Sequence, residues 1–440
     1  MPISPARQIA FSVLCRVESG RSFAVDMLQE RSVSELSEAD RRLATEIVMG
    51  ALRWRGELDF QIERLSGKTM GYFDAEVATI LRMSVYQIRF LEKIPPSAVV
   101  NEAVELTKAA RKRSAAGLVN AVLRKCRPPA SRAATEEELR RSFPAWLRAR
   151  WERNFGPEAF ADLVRASNAV PPTTLRVSRG ERDEIRRRLA QEGIETKPGR
   201  FSDCALIVKK GNVQTAEAYR SGAVVIQDEA SQLVAALLAP RPGERVLDLC
   251  AAPGIKTGQT ALALGRGLLV ACDVSAPRLR TMRKLLRVPD GLTLHTLRLD
   301  ATRELPFGAA FDRILVDVPC SGTGTLARNP EIKWRMQASD LERLAEVQAR
   351  ILRNALKVLV PGGRLVYSTC SLEPEENEQV VERVLQETAG FRMLAADELA
   401  SDFPQLKSLF DTRGCFRTRP DLHQMDGFFA AVITCCSAGL

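Results

Sequence analysis

Two short segments could carry nucleophilic chemistry: DVPCSGTG from Asp317 to Gly324, and YSTCSL from Tyr367 to Leu372. Each places a cysteine, Cys320 and Cys370, just beyond a β-branched apolar run. A cysteine alone in such a place is more often a small buried apolar residue than a catalyst. Two at equivalent positions on strand ends are a candidate working pair, because a thiolate is a strong nucleophile that can form a transient covalent bond. A thiol must first lose its proton, which near neutral pH calls for a cationic or dipolar neighbour. Lys256 is the candidate cation, and Asp317 is the candidate for hydrogen-bonding a polar ring and holding it in an addition-ready form.

The elements that must position these groups are strands and helices in alternation. RVLDLC, LLVACDV, LTLHTLRL, RILVDVP and RLVYSTC are short β-branched runs separated by helical stretches such as SAPRLRTMRKLLR and DLERLAEVQARILRNALKVL. This pattern predicts a parallel sheet covered on both faces, with ligands bound outside the carboxyl ends of the strands. The first strand runs into the small-residue turn DLCAAPGIKT, from Asp248 to Thr257, which opens a helix. A triphosphate-binding loop would need glycine at the positions of Cys250 and Ile255, and the G-x-G-x-x-G dinucleotide pattern is missing. The turn therefore suits a cofactor that presents an amino acid and a ribose rather than a pyrophosphate. Asp273, at the end of the next strand, is placed to take ribose hydroxyls, and Asp300, after the third, to accept from an adenine amino group.

DLCAAPGIKT, DVPCSGTGTLARNPEIKW and YSTCSLEPEENEQVV together resemble the signature motifs of the RNA cytosine-5 methyltransferase family that includes the Nop2 and NSUN proteins. The resemblance implies S-adenosylmethionine as cofactor, held by Cys250, Ala251, Ala252, Pro253, Gly254, Ile255, Lys256, Asp273, Asp300 and Asp317. It implies Cys370 as the residue that attacks the base and Cys320 as the one that assists product release. The chemistry is consistent. Carbon 5 of cytosine is a poor nucleophile until a thiolate adds to carbon 6, after which carbon 5 can take up a methyl group. One departure is visible, since Ile255 stands where the family usually has a second glycine.

Residues 1–130 read as all helix, with apolar positions at three- and four-residue spacing in ARQIAFSVLCRV, RRLATEIVMGALRW and EVATILRMSVYQIRFL. With PPSAVVNEAVELTK and GLVNAVLRKC they resemble a NusB-type helical RNA-binding domain. Residues 131–225 read as linker helices and a small α+β module beginning at PPTTLRV, where Ser178 replaces the family's more usual Asn. Residues 226–440 are expected to form a Rossmann-like domain resembling the class I methyltransferases. The expected fold is thus multidomain: an all-α bundle, a small α+β module and an α/β domain. The combination resembles the bacterial members that act on one cytosine of 16S rRNA.

The net charge is +10, which suits a polyanionic partner. No acidic residue occurs between Leu106 and Thr135, where Lys108, Arg111, Lys112, Arg113, Arg124, Lys125, Arg127 and Arg132 all fall. We expect Lys108, Arg111, Lys112, Arg113, Arg124 and Lys125 to meet RNA phosphates, displacing counterions. The two histidines, His295 and His423, and the absence of C-x-x-C leave little material for zinc, so no metal is expected. Without a signal-like N-terminus or a long apolar run, a cytoplasmic protein without membrane contact, acting as a monomer, is the expectation. Two alternatives stay open: the same chemistry on tRNA or another RNA, and a non-catalytic RNA-binding assembly factor. Cytosine methylation of DNA fits less well, because that chemistry places its nucleophile in the Pro-Cys segment and has no counterpart of Thr369-Cys370.

Overall fold

The computed structural model describes residues 3–20, 22–129 and 133–436. The chain folds as two compact units, one of residues 1–170 with 326–337, the other of residues 171–325 with 338–440.

In the first unit the principal helices are α1 (Pro5–Glu18), α2 (Glu38–Arg53), α3 (Arg55–Ser66), α4 (Ala75–Phe90), α5 (Pro96–Ala109) and α6 (Ala116–Lys125). Proline opens α1 and α5, where its missing N–H is not needed, and Gly67 ends α3 in the left-handed conformation at φ 67°. Their apolar stripes meet in one core that includes Leu14, Ile47, Leu58, Ile80, Val99 and Val119. Helices α2 and α4 approach so closely that a Cβ on Gly50 would lie 1.9 Å from the Tyr86 ring. Helices α7 (Ala145–Phe155) and α8 (Pro157–Asn168) follow, separated by Gly156 at φ 82°.

Residues 326–337 leave the methyltransferase sequence to join this unit. Glu331 accepts from the Ala24 N–H at 2.7 Å, and the Trp334 indole donates to the Leu52 carbonyl at 2.9 Å. Lys333, 1% exposed, donates to the carbonyl of Arg53 at 2.9 Å and to Asn168 Oδ1 at 3.1 Å, and lies 3.9 Å from the Phe143 ring centroid. Burial, with the nearby Arg53 charge, pushes its ammonium well below the ordinary lysine range.

The basic cluster is spread along two helices and their connection. Lys108 sits in the last turn of α5, Arg111 and Lys112 in the connection, Arg113 in a short 3₁₀ turn, and Arg124 and Lys125 in the last turn of α6. The acid-free stretch also has acidic neighbours in space. Lys108 pairs with Glu105 at 2.7 Å, and Lys112 pairs with Asp74 at 2.9 Å and Glu76 at 3.5 Å. Arg132 lies outside the described residues.

The second unit holds two sheets. The smaller, antiparallel one runs β2 (Glu195–Pro198), β3 (Ala205–Lys210), β1 (Thr174–Val177), β4 (Val224–Ile226). Helix α9 (Arg182–Gln191) covers it through Ile185 and Leu189, which pack with Leu175 and Val177.

The large sheet contains β5 (Arg245–Asp248), β6 (Gly267–Asp273), β7 (Leu292–Arg298), β8 (Phe311–Asp317), β9 (Leu359–Thr369), β10 (Phe391–Met393), β11 (Phe416–Arg417) and β12 (Phe429–Cys435). Its order is β10-β12-β9-β8-β5-β6-β7, with β11 paired to β12. The five strands β7, β6, β5, β8 and β9 are mutually parallel, and β12 joins β9 antiparallel. Alternation along the strands divides the core. Leu247, Val316 and Tyr367 face α13 (Ala338–Leu356) and α14 (Glu378–Glu387), whereas Val246, Leu315 and Val366 face α10 (Glu229–Ala236) and α11 (Ile255–Leu264). From β5 the chain proceeds to β6 and β7 on one side, then to β8 and β9 on the other. The strand order therefore reverses between β5 and β8, the place where such sheets open a ligand crevice.

Candidate active site

The crevice begins at the carboxyl end of β5. After Asp248 the chain turns through residues 249–254 and opens α11 at Ile255, passing a cis bond between Ala252 and Pro253. Gly254 caps the helix at φ 102°, and a Cβ there would also lie 2.4 Å from Met282 Cγ, a residue of α12 (Ala276–Leu285). Only glycine satisfies both constraints. Ile255 is already the first helical residue and is 40% exposed. A side chain replacing the family's second glycine is thus accommodated without distorting the turn.

Two carboxylates, Asp273 and Asp248, stand at this turn, and a third, Asp300, lies farther along the strand ends. Asp273, buried at the end of β6, accepts from the Ala252 N–H at 3.2 Å and from the Ser275 N–H at 2.8 Å. It therefore braces the turn while standing at the strand-end position suited to a ribose. Asp300, two residues beyond β7, accepts from the Thr302 N–H and hydroxyl at 3.0 and 2.6 Å, and these bonds hold its carboxyl below the ordinary range. Asp248 accepts from the Thr257 hydroxyl at 2.7 Å through one oxygen, while its buried Oδ1 has no partner. Burial pushes its pKa up to about 7, and the Asp317 charge adds to the rise. The Cys250 thiol is likewise held well above the usual range by burial and by Asp248, Asp317 and Asp273. An unpartnered buried carboxylate oxygen beside a glycine-capped turn, with Asp273 at the neighbouring strand end, fits a small polar cofactor carrying amino and hydroxyl groups.

At the reversal point the Lys256 ammonium donates to Asp317 Oδ2 at 2.8 Å, and the Ser368 hydroxyl donates to Asp317 Oδ1 at 2.8 Å. Lys256 also lies 5.0 Å from the Phe428 ring centroid. Burial acts against the ammonium, but Asp317, Cys370 and Asp248 outweigh it and raise its pKa, so Lys256 is a persistent cation. A thiolate on Cys370 would meet that charge.

Register brings the two cysteines together. Asp317 and Ser368 are partners across β8 and β9, and the loops that continue from them place Cys320 Sγ and Cys370 Sγ 3.4 Å apart. Both residues are partly exposed. Cys320 is held well above the ordinary thiol range, first by its hydrogen bond to Cys370, then by burial and by the charges of Cys370, Glu376 and Asp317. Its thiol proton is therefore firmly held, and either sulfur can be the donor in the contact between them.

The structure thus gathers Cys320, Cys370, Asp317 and Lys256 into one cluster, next to the Cys250–Lys256 turn, Asp248 and Asp273. Asp300 lies farther along the strand ends. The six basic residues singled out for RNA belong to the other unit. Sequence reasoning passed over Asp248, Ser368 and Glu376. The first was legible as a strand-end acid, whereas nothing in a run of glutamates marks Glu376 as buried.

A strand-end turn shaped for a small polar cofactor, opening beside a pair of cysteines on a reversing parallel sheet, defines the class: a Rossmann-like methyltransferase. Residues 235–434 match the family described as 16S rRNA methyltransferase RsmB/F, residues 4–128 the NusB family, and residues 143–214 the ferredoxin-like domain of RsmF/B-like methyltransferases. The chain is 34% identical over 98% of both lengths to the "Probable ribosomal RNA small subunit methyltransferase B" of Bacillus subtilis (strain 168). It is 35% identical to the "Ribosomal RNA small subunit methyltransferase B" of Pseudomonas putida, over 88% of this chain and 90% of that one. The fold also matches the crystal structure of NSun6 from Pyrococcus horikoshii with SFG, with TM-score 0.58 and 21% identity over 66% of this chain and 98% of that one. The chain belongs to the RsmB/F family of rRNA methyltransferases and carries a NusB domain at its N-terminal end. Its cofactor is S-adenosylmethionine. Among the described residues no helix is long and apolar enough to cross a membrane, and no group of three or more His, Cys, Asp or Glu could hold a metal ion.

Proposed function

We propose that the chain methylates carbon 5 of one cytosine in 16S rRNA, with Cys370 forming a transient bond to carbon 6 and Cys320 assisting product release. The observation that carries this reading is the pair of sulfurs 3.4 Å apart at the strand-reversal point, beside the cofactor turn. S-adenosylmethionine, when bound, supplies an electrophilic methyl group, and Cys250 to Lys256, Asp273, Asp300 and Asp317 are the residues that would hold it.

The remaining work falls to the chain's own groups. Lys256 favours negative charge on Cys370 Sγ, which adds to carbon 6 of the base. Asp317, braced by Ser368 and Lys256, would hold the base by its amino group and, once that nitrogen carries a proton, by its ring nitrogen. Once Cys370 Sγ is bonded to carbon, Cys320 Sγ, 3.4 Å from it before attack, stands beside the adduct; having passed its own proton to solvent, it takes the proton from carbon 5. Lys108, Arg111, Lys112, Arg113, Arg124 and Lys125 supply cations for the RNA phosphates from the helical unit. The setting of this chemistry is the cytoplasm, where rRNA is found, and the protein acts there as a monomer.

Denaturing gels with labelled 16S rRNA test the assignment. Cys370→Ala is expected to abolish methyl transfer and adduct alike, whereas Cys320→Ala accumulates a covalent protein–RNA adduct. An adduct persisting in Cys370→Ala would reverse the two roles. Bisulfite sequencing of rRNA and tRNA from cells with and without the gene tests the substrate, and loss of a mark from tRNA alone would overturn the 16S reading.

A further inference from the structure

Glu376 lies in the charged run EPEENE just after β9, yet it is fully buried. Its carboxylate accepts from the Ser321 N–H at 2.8 Å, the Ser321 hydroxyl, the Ser371 hydroxyl at 2.5 Å, and Gln348 Nε2 at 2.9 Å. Ser321 follows Cys320 and Ser371 follows Cys370, so a single carboxylate ties the residues adjoining both sulfurs. The two serine hydroxyls also meet each other at 2.9 Å. Glu376 is itself fixed, because its carbonyl accepts from the Tyr367 hydroxyl at 2.6 Å. A buried carboxylate that meets four donors fixes those donors relative to one another.

The two cysteine loops depend on this clamp unequally. Cys370 directly follows β9, which is held by β8 on one side and β12 on the other, and Thr369 is further tied to Asn377 at 2.5 Å. Cys320 lies three residues beyond β8, in a loop that leaves the sheet. There Ser321 hangs on Glu376, and Pro319 accepts from the same Gln348 side chain at 3.0 Å.

We infer that Glu376 is a positioning residue for product release, holding Cys320 at the distance from Cys370 at which it can serve the adduct. This rests on the proposed roles of Cys370 as attacker and Cys320 as release residue. In the release step a base takes the carbon 5 proton, the C5–C6 double bond re-forms, and the C6–S bond breaks with its electron pair returning to Cys370 Sγ. Displacing Cys320 slows that step while leaving the attack by Cys370 largely in place.

Glu376→Gln keeps the volume but replaces one accepting oxygen with a donor that faces other donors. Two RNAs separate the steps: 5-fluorocytidine-substituted 16S rRNA, which has no carbon 5 proton to lose and so reports adduct formation, and ordinary 16S rRNA, which reports release. The expected result is adduct formation within a few-fold of wild type and release slowed by roughly tenfold or more, so that ordinary RNA accumulates adduct as with Cys320→Ala. Turnover without adduct, or equal loss of both steps, overturns the inference. Should Glu376→Gln fail to fold, Ser321→Ala and Ser371→Ala carry the test, and the first must accumulate more adduct than the second. If wild-type protein forms no adduct even with the fluorinated RNA, the cysteine assignment itself fails. If it does and only Glu376→Gln and Ser321→Ala behave as wild type, the clamp alone is wrong.

Discussion

Replacing Gly324 by alanine tests whether the sulfur pair depends on backbone held at close quarters. Gly324 donates its N–H to the Cys370 carbonyl at 2.9 Å and accepts from the Gly427 N–H at 2.8 Å, so it joins the Cys320 loop to both the end of β9 and the approach to β12. A Cβ there would fall 2.0 Å from the Gly427 carbonyl oxygen and 2.7 Å from its carbon, both rigid backbone atoms. Restoring a tolerable separation requires the two backbones to part by about 1 Å or more, which breaks one or both hydrogen bonds. Overpacking of this kind costs about 1–3 kcal/mol of stability. A displacement of about 1 Å at reacting groups costs on the order of a hundredfold in rate, or about 2.7 kcal/mol of barrier. Gly308→Ala is the control, since a Cβ there meets nothing within 4 Å. Single-turnover methylation of 16S rRNA by folded Gly324→Ala should therefore fall by roughly a hundredfold against the control. A rate within threefold of the control would refute the idea that this close approach sets the active geometry.

Further expectations concern buried charge and RNA binding. Asp248 has a folded pKa of about 7 against about 3.9 when unfolded. Between those values the folded chain keeps a proton the unfolded chain has lost, so stability falls as pH rises through this window, by at most about 4 kcal/mol. Urea unfolding of wild type and Asp248→Asn from pH 4 to 8 should show their difference shrinking in that range, and a constant difference contradicts the assignment. Lys333 is depressed instead: above its folded pKa and up to about 10.4 the unfolded chain holds the extra proton, so stability rises with pH. Lys333→Met should flatten that rise in thermal unfolding, and an unchanged slope would exclude Lys333 as its source. For RNA, neutralising Arg113 and Arg124 should lower the salt slope of binding by about one for each phosphate left without its cation. Neutralising Lys112, whose charge is already met by Asp74 and Glu76, should change the slope less, and equal effects would sink the distinction.

The parts of this molecule legible in its sequence are those governed by local pattern. The β-branched runs and the turn DLCAAPGIKT announce a parallel sheet and its cofactor crevice, because strand period and backbone approach are written in consecutive residues. The cysteine pair is legible for the same reason, each sulfur following its own strand. What escapes is everything decided by distant partners. The acid-free stretch around Lys112 is acid-free only along the chain, since Asp74 and Glu76 stand 38 and 36 positions earlier. Residues 326–337 continue the catalytic motif without any compositional break, yet they belong to the helical unit, and Lys333 reads as an exposed cation while lying under Phe143.

Glu376 is the sharpest instance of the same difference. In EPEENE its neighbour Glu375 is half-buried, and nothing in residue type separates the two. The separation comes from β8 and β9 being adjacent and parallel, which sets Ser321 and Ser371 side by side with hydroxyls that need a shared acceptor. A parallel neighbour requires a long crossover, here supplied by residues 318–358, so the two halves of the site are separated in sequence by the very connection that makes them adjacent. Each cysteine can thus be found alone, but the group that holds them together can be found only after the strands are paired.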